Sequence, residues 1–504
     1  MGASLEKTLL LAVDLGTSFI KSGIYDISGN CIACEVKKTA SLQPETGIFV
    51  QKGEALFETA LTCMSEAVRK VPEGLGRVEA ISFTGQMAGV MGIDREWKDV
   101  TGWSCSLDTR YVPYARKQLE KYGSDFLAIG GTNAPLMAPK IEWFQNVFPV
   151  ESGKIVKYLM LNGYCLGRLG GVRPEEAVID VSMITWSGLA DVNTGNWASD
   201  ICRELEVEEK LPKIVTSTQV CGFLEKNMAK ILGLTAGIPL IAGAGDKIAG
   251  CVGASVTETG DMIFEAASYG GFSCIVNDYR PDTNSGNYDG LIMADGCKRV
   301  AHKYIPGSGI TLKWFLDNFT NPEDISGFQA MDEKAGKVSP GCDGLMAVGL
   351  LGGSAMPFNG DMKGMWIGHD WTHRKEHFYR ALLESFSFEL ALTIDSIERN
   401  YPEYQKKACK LIGGGARSEL WAQILADVTG RTFQTVDRED NALWGTAILA
   451  GKGLGIFEKE DKIAARCIQT KKEFRPDEER FLFYQPLKER YRVLRNKMYN
   501  MFLL

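Results

Sequence analysis

Residues 238–253, IPLIAGAGDKIAGCVG, run an apolar, β-prone stretch (Ile238, Leu240, Ile241) into a glycine-rich corner and then into a segment of small residues. Gly243 and Gly245 let the backbone turn where a side chain would obstruct a ligand, and Asp246 stands at the exit of that turn. Ala249, Gly250, Gly253 and Ala254 then have the composition of a helix packed closely against another element. A strand that ends in a carboxylate before a tightly packed helix suits a general base. The same residues also suit an aspartate that caps the helix, and the spacing leaves both readings open.

At 504 residues the chain exceeds one ordinary core, so at least two domains with a cleft between them are expected. A net charge of -7 gives no basic footprint for nucleic acid, and the expected partners are small molecules. No apolar run is long enough to cross a bilayer, Glu6 stands where myristoylation needs Ser or Thr, and there is no cleavable apolar leader. The 13 scattered cysteines then fit free thiols in a reducing cytoplasm. Cys31 and Cys34 form a CxxC inside a stretch that reads as a strand. Positions three apart on a strand face opposite ways, which argues against a shared redox or zinc site. His369, His373 and His377 have helical spacing, but the turn-like Trp371-Thr372 and the charged Arg374–Glu376 read as the solvated start of a helix and not as a metal comb.

Residues 9–26 hold two apolar alternating runs joined by Asp14–Ser18, a β-hairpin pattern, with a third strand near 31–37. A helix at about 52–70 and a strand at 78–84 follow, and residues 138–149 have helical spacing. Residues 180–222 read as irregular. A second hairpin is expected at 261–276, helices at 310–319 and 375–399, a strand at 407–412 and a helix at 419–429. The halves thus share a hairpin-then-strand-helix plan, with the glycines between Gly243 and Gly260 placed to absorb a rotation of one half against the other.

Three glycine-containing corners follow strands: DLGTS at 14–18, GSG at 307–309 and GGGARS at 413–418. Each can offer N–H groups to anionic oxygens, and each taken singly also fits an ordinary turn. GGGARS lacks the GxGxxG spacing, and there is no Walker A lysine pattern. Together with Asp14 and Asp246 the corners suggest phosphoryl transfer, whose catalysis is mostly positioning and charge neutralisation.

Over nearly its whole length, and in the same order of motifs, the chain resembles the FGGY carbohydrate kinases, most closely their xylulokinase branch. VDLGTS (13–18) resembles the first phosphate hairpin, ISFTGQMAG (81–89) the substrate strand and APKIEW (138–143) the helix lining the sugar pocket. GIPLIAGAGD (237–246) resembles the segment with the catalytic aspartate, and IGGGARSELWAQILAD (412–427) the C-terminal signature.

The resemblance implies an α/β fold of two actin-like (ribonuclease H-like) domains with a cleft between them. Residues 1–248 would bind the sugar and 249–504 ATP, with a terminal helix at about 478–504 packing back across the domains. It implies an ATP-dependent kinase of a pentulose such as xylulose, or of another ketose or polyol of the ribulose, erythritol or glycerol type. A sugar- or nucleotide-binding regulatory protein that has lost turnover is the contrasting reading. Asp246 takes the general-base place, and Asp14 and Asp246 would face Mg²⁺ through water. Gly16, Thr17, Ser18 and Ser268 would surround the phosphates, Gly309, Gly414 and Gly415 would line the nucleotide, and Ser418 would lie near the adenosine. Gln86, Met87, Ala88 and Asp108 fall on the sugar side, and a homodimer is one expected assembly.

The sequence departs from the family pattern at five places around the cleft. Ala88 replaces a histidine, Ser106 stands at the aromatic position before Asp108-Thr109-Arg110, and Ala266-Ala267-Ser268 replaces a GTS. Gly353–Pro357 replaces a GERTP loop, and Lys247 replaces an asparagine. These changes put the substrate in question more than the fold.

Overall fold

The computed structural model describes residues 7–45, 47–321, 327–458 and 460–502. The N-terminal hairpin forms as Thr8–Leu15 and Phe19–Asp26, and Leu9 to Val13 are buried without a break. An unbroken apolar run is what a strand covered on both faces requires. Here the cover comes from helices Gly53–Arg69 and Asn441–Gly453. This strand is internal to a six-stranded sheet ordered Val220–Phe223, Pro239–Ile241, Arg77–Gly85, Thr8–Leu15, Phe19–Asp26, Cys31–Lys38. The last three form an antiparallel meander, while Arg77–Gly85 and Pro239–Ile241 join in parallel.

The second half repeats the plan. Met262–Glu265 and Gly270–Val276 form a hairpin, extended by Arg299–Ile305 and Asp289–Ile292. On its other edge Met262–Glu265 pairs in parallel with Cys409–Ile412, then Phe433–Val436, and antiparallel Thr470–Phe474 closes a seven-stranded sheet. The middle segment is irregular as expected, holding short pairs and one-turn helices such as Ser199–Glu204.

Helix Asn441–Gly453, from the second half of the sequence, packs on Thr8–Leu15 and Arg77–Gly85 of the first sheet and crosses helix Asp246–Gly253. A Cβ added at Gly253 would lie 1.9 Å from the Asn441 carbonyl oxygen, and one at Gly445 1.9 Å from that of Ala249. The backbones touch, which is why small residues recur there. The boundary expected at 248/249 falls inside helix Asp246–Gly253.

Three expectations are corrected. The terminal helix Glu478–Met501 packs mainly on helices Lys375–Asn400 and Glu419–Thr429, so its apolar face is covered within the second half and the crossing is made by Asn441–Gly453 instead. Cys31 and Cys34 face the same way. Cys31 pairs with Tyr25 and Ala33 with Ile24, so Ile32 is a bulge that shifts the alternation by one residue, and the two thiols reach hydrogen-bonding contact. His373 is not solvated, since its Nδ1 meets Asp370 at 3.0 Å and its Nε2 meets the Cys342 carbonyl at 3.1 Å. Among the described residues no group of three metal-ligating side chains is found, and no helix is long and apolar enough to cross a membrane.

The two glycines of helix Asp246–Gly253 should respond in opposite ways to alanine. Gly253→Ala forces the crossing helices apart and should cost about 1–3 kcal/mol. A Cβ at Gly250 meets nothing within 4 Å, so Gly250→Ala should be neutral or stabilising by up to about 1 kcal/mol through helix propensity. Urea unfolding of both variants measures the contrast.

Candidate active site

Asp246 is the first residue of its helix, delivered by a turn that only glycine allows. Gly243 has a φ of +73°, and a Cβ there would lie 1.8 Å from the Phe83 carbonyl oxygen of the neighbouring strand. From below, the Gly245 N–H donates to Ser182 Oγ at 2.9 Å, and Ser182 in turn donates to Asp180. The other Asp180 oxygen accepts from Ser217 Oγ at 2.6 Å. Burial pushes the Asp180 carboxyl up to about 6 against these hydrogen bonds. Sequence reasoning missed this support, because the irregular middle segment has no periodicity to mark it.

At the surface of the turn Asp246 Oδ1 accepts the Lys247 N–H at 2.8 Å, and its Oδ2 lies 3.9 Å from Lys247 Nζ. Lys247 Nζ reaches 2.5 Å from Glu265 Oε2, the last residue of strand Met262–Glu265 in the second half. Burial raises the Asp246 carboxyl above its ordinary range, Lys247 lowers it and Glu265 raises it further. Two strands along the first sheet from Pro239–Ile241, Asp14 moves from an ordinary 3.8 to about 6, mainly by burial, with Lys21 opposing and Asp246 and Glu265 adding to the rise. Asp14, Asp246, Glu265 and Lys247 therefore form one electrostatic cluster where the halves meet. Glu265 and its partnership with Lys247 were not foreseen, since each looked in sequence like an isolated charge.

The nucleotide-side residues gather around a cavity of about 1070 Å³. Ser268, Gly309, Gly414, Gly415 and Ser418 all line it, with Ala266 and Ala267. The glycine corners do not offer all the N–H groups expected of them. The Gly309 N–H donates to the Ala267 carbonyl at 3.1 Å, that of Ile310 to Ser268 at 3.3 Å and that of Gly415 to Ala266 at 2.7 Å. The start of helix Ser308–Phe319 is thus occupied by the carbonyls of the 266–268 turn. Ser418 Oγ caps helix Glu419–Thr429 by accepting the Trp421 N–H at 3.1 Å. Gly16, Thr17 and Ser18 form the first hairpin's turn, where the Thr17 carbonyl accepts from Thr39 Oγ1 at 2.5 Å and from Gln51 at 3.1 Å.

On the sugar side Met87 is buried against Gly245, where a Cβ would lie 2.6 Å from its Cγ, so it touches the Asp246 turn directly. Ala88 follows in a left-handed conformation with φ +45°. Gln86 accepts from the Trp103 indole N–H at 3.1 Å, and Trp103 fills the space that Gly89 leaves open. Trp103 is an aromatic group at this wall that the motif comparison had not placed. Asp108 is only 1 % exposed. Its carboxylate accepts from Ser104 Oγ at 2.8 Å and from Arg110 at 2.9 and 2.7 Å, and Arg110 stacks over Trp143. Lys140 of the APKIEW helix is buried on the Ser104 and Cys105 carbonyls, and burial pushes its amine down to about 8.

The model for the N-terminal domain of the FGGY family of carbohydrate kinases matches residues 9–253, and that for its C-terminal domain matches residues 297–454. The chain belongs to the FGGY family of carbohydrate kinases. It is 24 % identical over 491 residues to a xylulose kinase of Bacillus subtilis, covering 96 % of each chain. To a gluconokinase of the same organism it is 25 % identical over 473 residues, covering 90 % of this chain and 89 % of that one. The ligand-bound xylulose kinase structure from Lactobacillus acidophilus superimposes with a TM-score of 0.89 at 21 % identity, covering 97 % and 98 % of the two chains. The fold is that of the two-domain FGGY kinases, the protein is a sugar kinase acting on a small-molecule carbohydrate, and membership of the family implies ATP as the phosphoryl donor.

The donor set also suits a hydrated magnesium ion. Among the described residues no three acids converge on one point, but Asp14 and Asp246 are two carboxylates with open oxygen lone pairs. Mg²⁺ usually keeps several waters and takes one or two carboxylates beside substrate phosphates.

The raised Asp14 carboxyl has a consequence for stability. Above about pH 6 Asp14 is ionised in the folded chain at a cost, and below about pH 4 it is protonated in folded and unfolded chains alike, so the cost disappears. Asp14→Asn should therefore raise the unfolding free energy by up to roughly 3 kcal/mol at pH 8. The gain should fade toward pH 4. Denaturant unfolding at the two pH values measures it.

Proposed function

We propose that this sugar kinase transfers the γ-phosphoryl group of ATP to a hydroxyl of a pentulose such as xylulose, with Asp246 as general base. The observation that carries the reading is the position of Asp246. Its turn is packed against Met87 of the substrate strand, and its helix partner Lys247 pairs with the residue that leads into the nucleotide cavity. A sugar hydroxyl held on the first half and a γ-phosphate held on the second would meet at that carboxylate. Burial lifts the Asp246 pKa above that of a free carboxylate, which makes it a stronger acceptor for the hydroxyl proton as oxygen attacks phosphorus. Mg²⁺, held through water by Asp14 and Asp246, would neutralise charge on the phosphates.

Asp246→Asn should lower turnover by 10²-fold or more while leaving sugar binding within about tenfold, because an amide holds the hydroxyl but cannot take its proton. Steady-state ADP release and calorimetry on the one variant test both halves of the statement. Retention of more than about a tenth of wild-type turnover would remove Asp246 from the base's role.

The choice among ketoses, aldonates and polyols rests on the sugar wall. Ala88 occupies a backbone region that histidine tolerates better than most residues, so Ala88→His can be made without disturbing the strand. It should change the ranking of ketoses more than it changes the Michaelis constant for ATP. A panel of ketopentoses, gluconate, erythritol and glycerol, read by ADP release for wild type and variant, provides the ranking. No release with any of them would favour the regulatory reading.

A further inference from the structure

We propose that Lys247 is a catalytic residue: its ammonium leaves Glu265 and binds the transferring phosphoryl group, supplying the charge that the 266–268 turn lacks. The proposal rests on the kinase reading above. Three observations carry it. The first is the lack of charge on the 266–268 turn, whose one polar side chain is the Ser268 hydroxyl. Ala266 and Ala267 have no polar side-chain atom, Ser308 Oγ donates to the Ala267 carbonyl at 3.3 Å, and the N–H groups of Gly309 and Ile310 are taken by the turn itself.

The second is distance. A nucleophilic hydroxyl hydrogen-bonded to Asp246 lies about 2.7 Å from it, and the phosphorus it attacks lies beyond. Lys247 Nζ stands 3.9 Å from Asp246 Oδ2, within reach of the equatorial oxygens of a phosphoryl group in line with that hydroxyl. The third is the way the side chain is held. Its stem passes beside Gly271, where an added Cβ would be 3.8 Å from Lys247 Cδ. Only the charged tip is partnered across the interface, 2.5 Å from Glu265. His302 behind it stays neutral, because burial and Lys247 push its pKa down to about 3, so it does not compete as a cation.

In the step itself the sugar hydroxyl gives its proton to the Asp246 carboxylate as its oxygen bonds to the γ-phosphorus. The bond from that phosphorus to the β,γ-bridging oxygen breaks with its electron pair going to ADP. Lys247 remains protonated throughout and exchanges one anionic partner, Glu265, for another, the equatorial oxygens, whose charge is fixed in place at the transition state.

The test is a set of three variants assayed beside Asp246→Asn. Lys247→Met should lower kcat by 10²-fold or more with both KM values within about threefold, as for an interaction made only in the transition state. Lys247→Arg should recover a tenth or more of wild-type kcat. The double variant Lys247→Met/Glu265→Leu removes the carboxylate that Lys247 pairs with, so it separates catalysis from the loss of that ion pair. It should stay as slow as Lys247→Met. Recovery of more than a third of wild-type kcat in the double variant would overturn the proposal, as would a Lys247→Met enzyme with kcat within threefold or with a change confined to KM. Asp246→Asn reports separately on the kinase reading, so the two can fail independently.

Discussion

The arrangement depends on a backbone-to-backbone contact between two helices. Helix Asp246–Gly253 follows a strand of the first sheet, helix Asn441–Gly453 follows a strand of the second, and they approach until Gly253 meets Asn441 and Gly445 meets Ala249. Because Asn441–Gly453 also lies on the central strands of the first sheet, this crossing sets how the second half sits against the first. The helix that carries Asp246 at its start is therefore the helix that joins the halves. Any side chain at the crossing would move Asp246 relative to the nucleotide cavity, and a displacement of about 1 Å at a reacting centre can cost 10²-fold in rate.

Around that junction the chain accumulates unfavourable electrostatics. Asp14 and Asp180 are each buried enough to rise to about 6, and Asp246 rises with them. Away from it Glu389 is held down at about 2 against its own burial by Arg495 and Lys303, whereas Glu384 beside Arg380 still rises with burial. The Lys303–Glu389–Arg495 group fixes helix Lys375–Asn400 to the sheet and the terminal helix. At Asp14 and Asp246 burial outweighs the opposing Lys21 and Lys247, so neither carboxylate is matched in that way.

Elements with strong local signals were legible in the sequence: the two hairpins, the helices at 53–69 and 375–400, and the strand-turn-helix around Asp246. The glycine corners were legible as a set and line one cavity. What could not be read was whatever depends on a partner distant in sequence. The bulge at Ile32 exists because of its pairing with the second strand, and it reverses which way Cys31 faces. The engagement of the Gly309 and Gly415 N–H groups depends on the 266–268 turn, more than 40 residues from the first and more than 140 from the second. The packing of Asn441–Gly453 on the first sheet has no trace in its own periodicity, because a helix buried on nearly all sides shows no polar face. The bonds of Asp108 to Arg110 and Ser104 were likewise not legible, because a motif records residue type and not the partners of the carboxylate.

The same distant contacts decide how the halves can move. The glycines from 243 to 260 suggested a swivel, but Gly243 is pressed on the Phe83 carbonyl, Gly245 is hydrogen-bonded to Ser182 and Gly253 is locked in the helix crossing. These three serve close approach, whereas a Cβ at Gly250 would meet nothing within 4 Å. A second junction joins the halves elsewhere. The Gly290 N–H donates to the Gly131 carbonyl at 2.7 Å, and Asp289 accepts from the Asn133 backbone at 2.8 Å and from the Trp186 indole at 2.9 Å. Arg299 donates to the Asn193 carbonyl at 2.7 Å. These bonds involve buried groups, and breaking them would leave Asp289 without partners. Lys247, on the helix of the first junction, and Glu265, at the end of strand Met262–Glu265, belong to opposite halves, so their ion pair adds a side-chain contact to the backbone crossing.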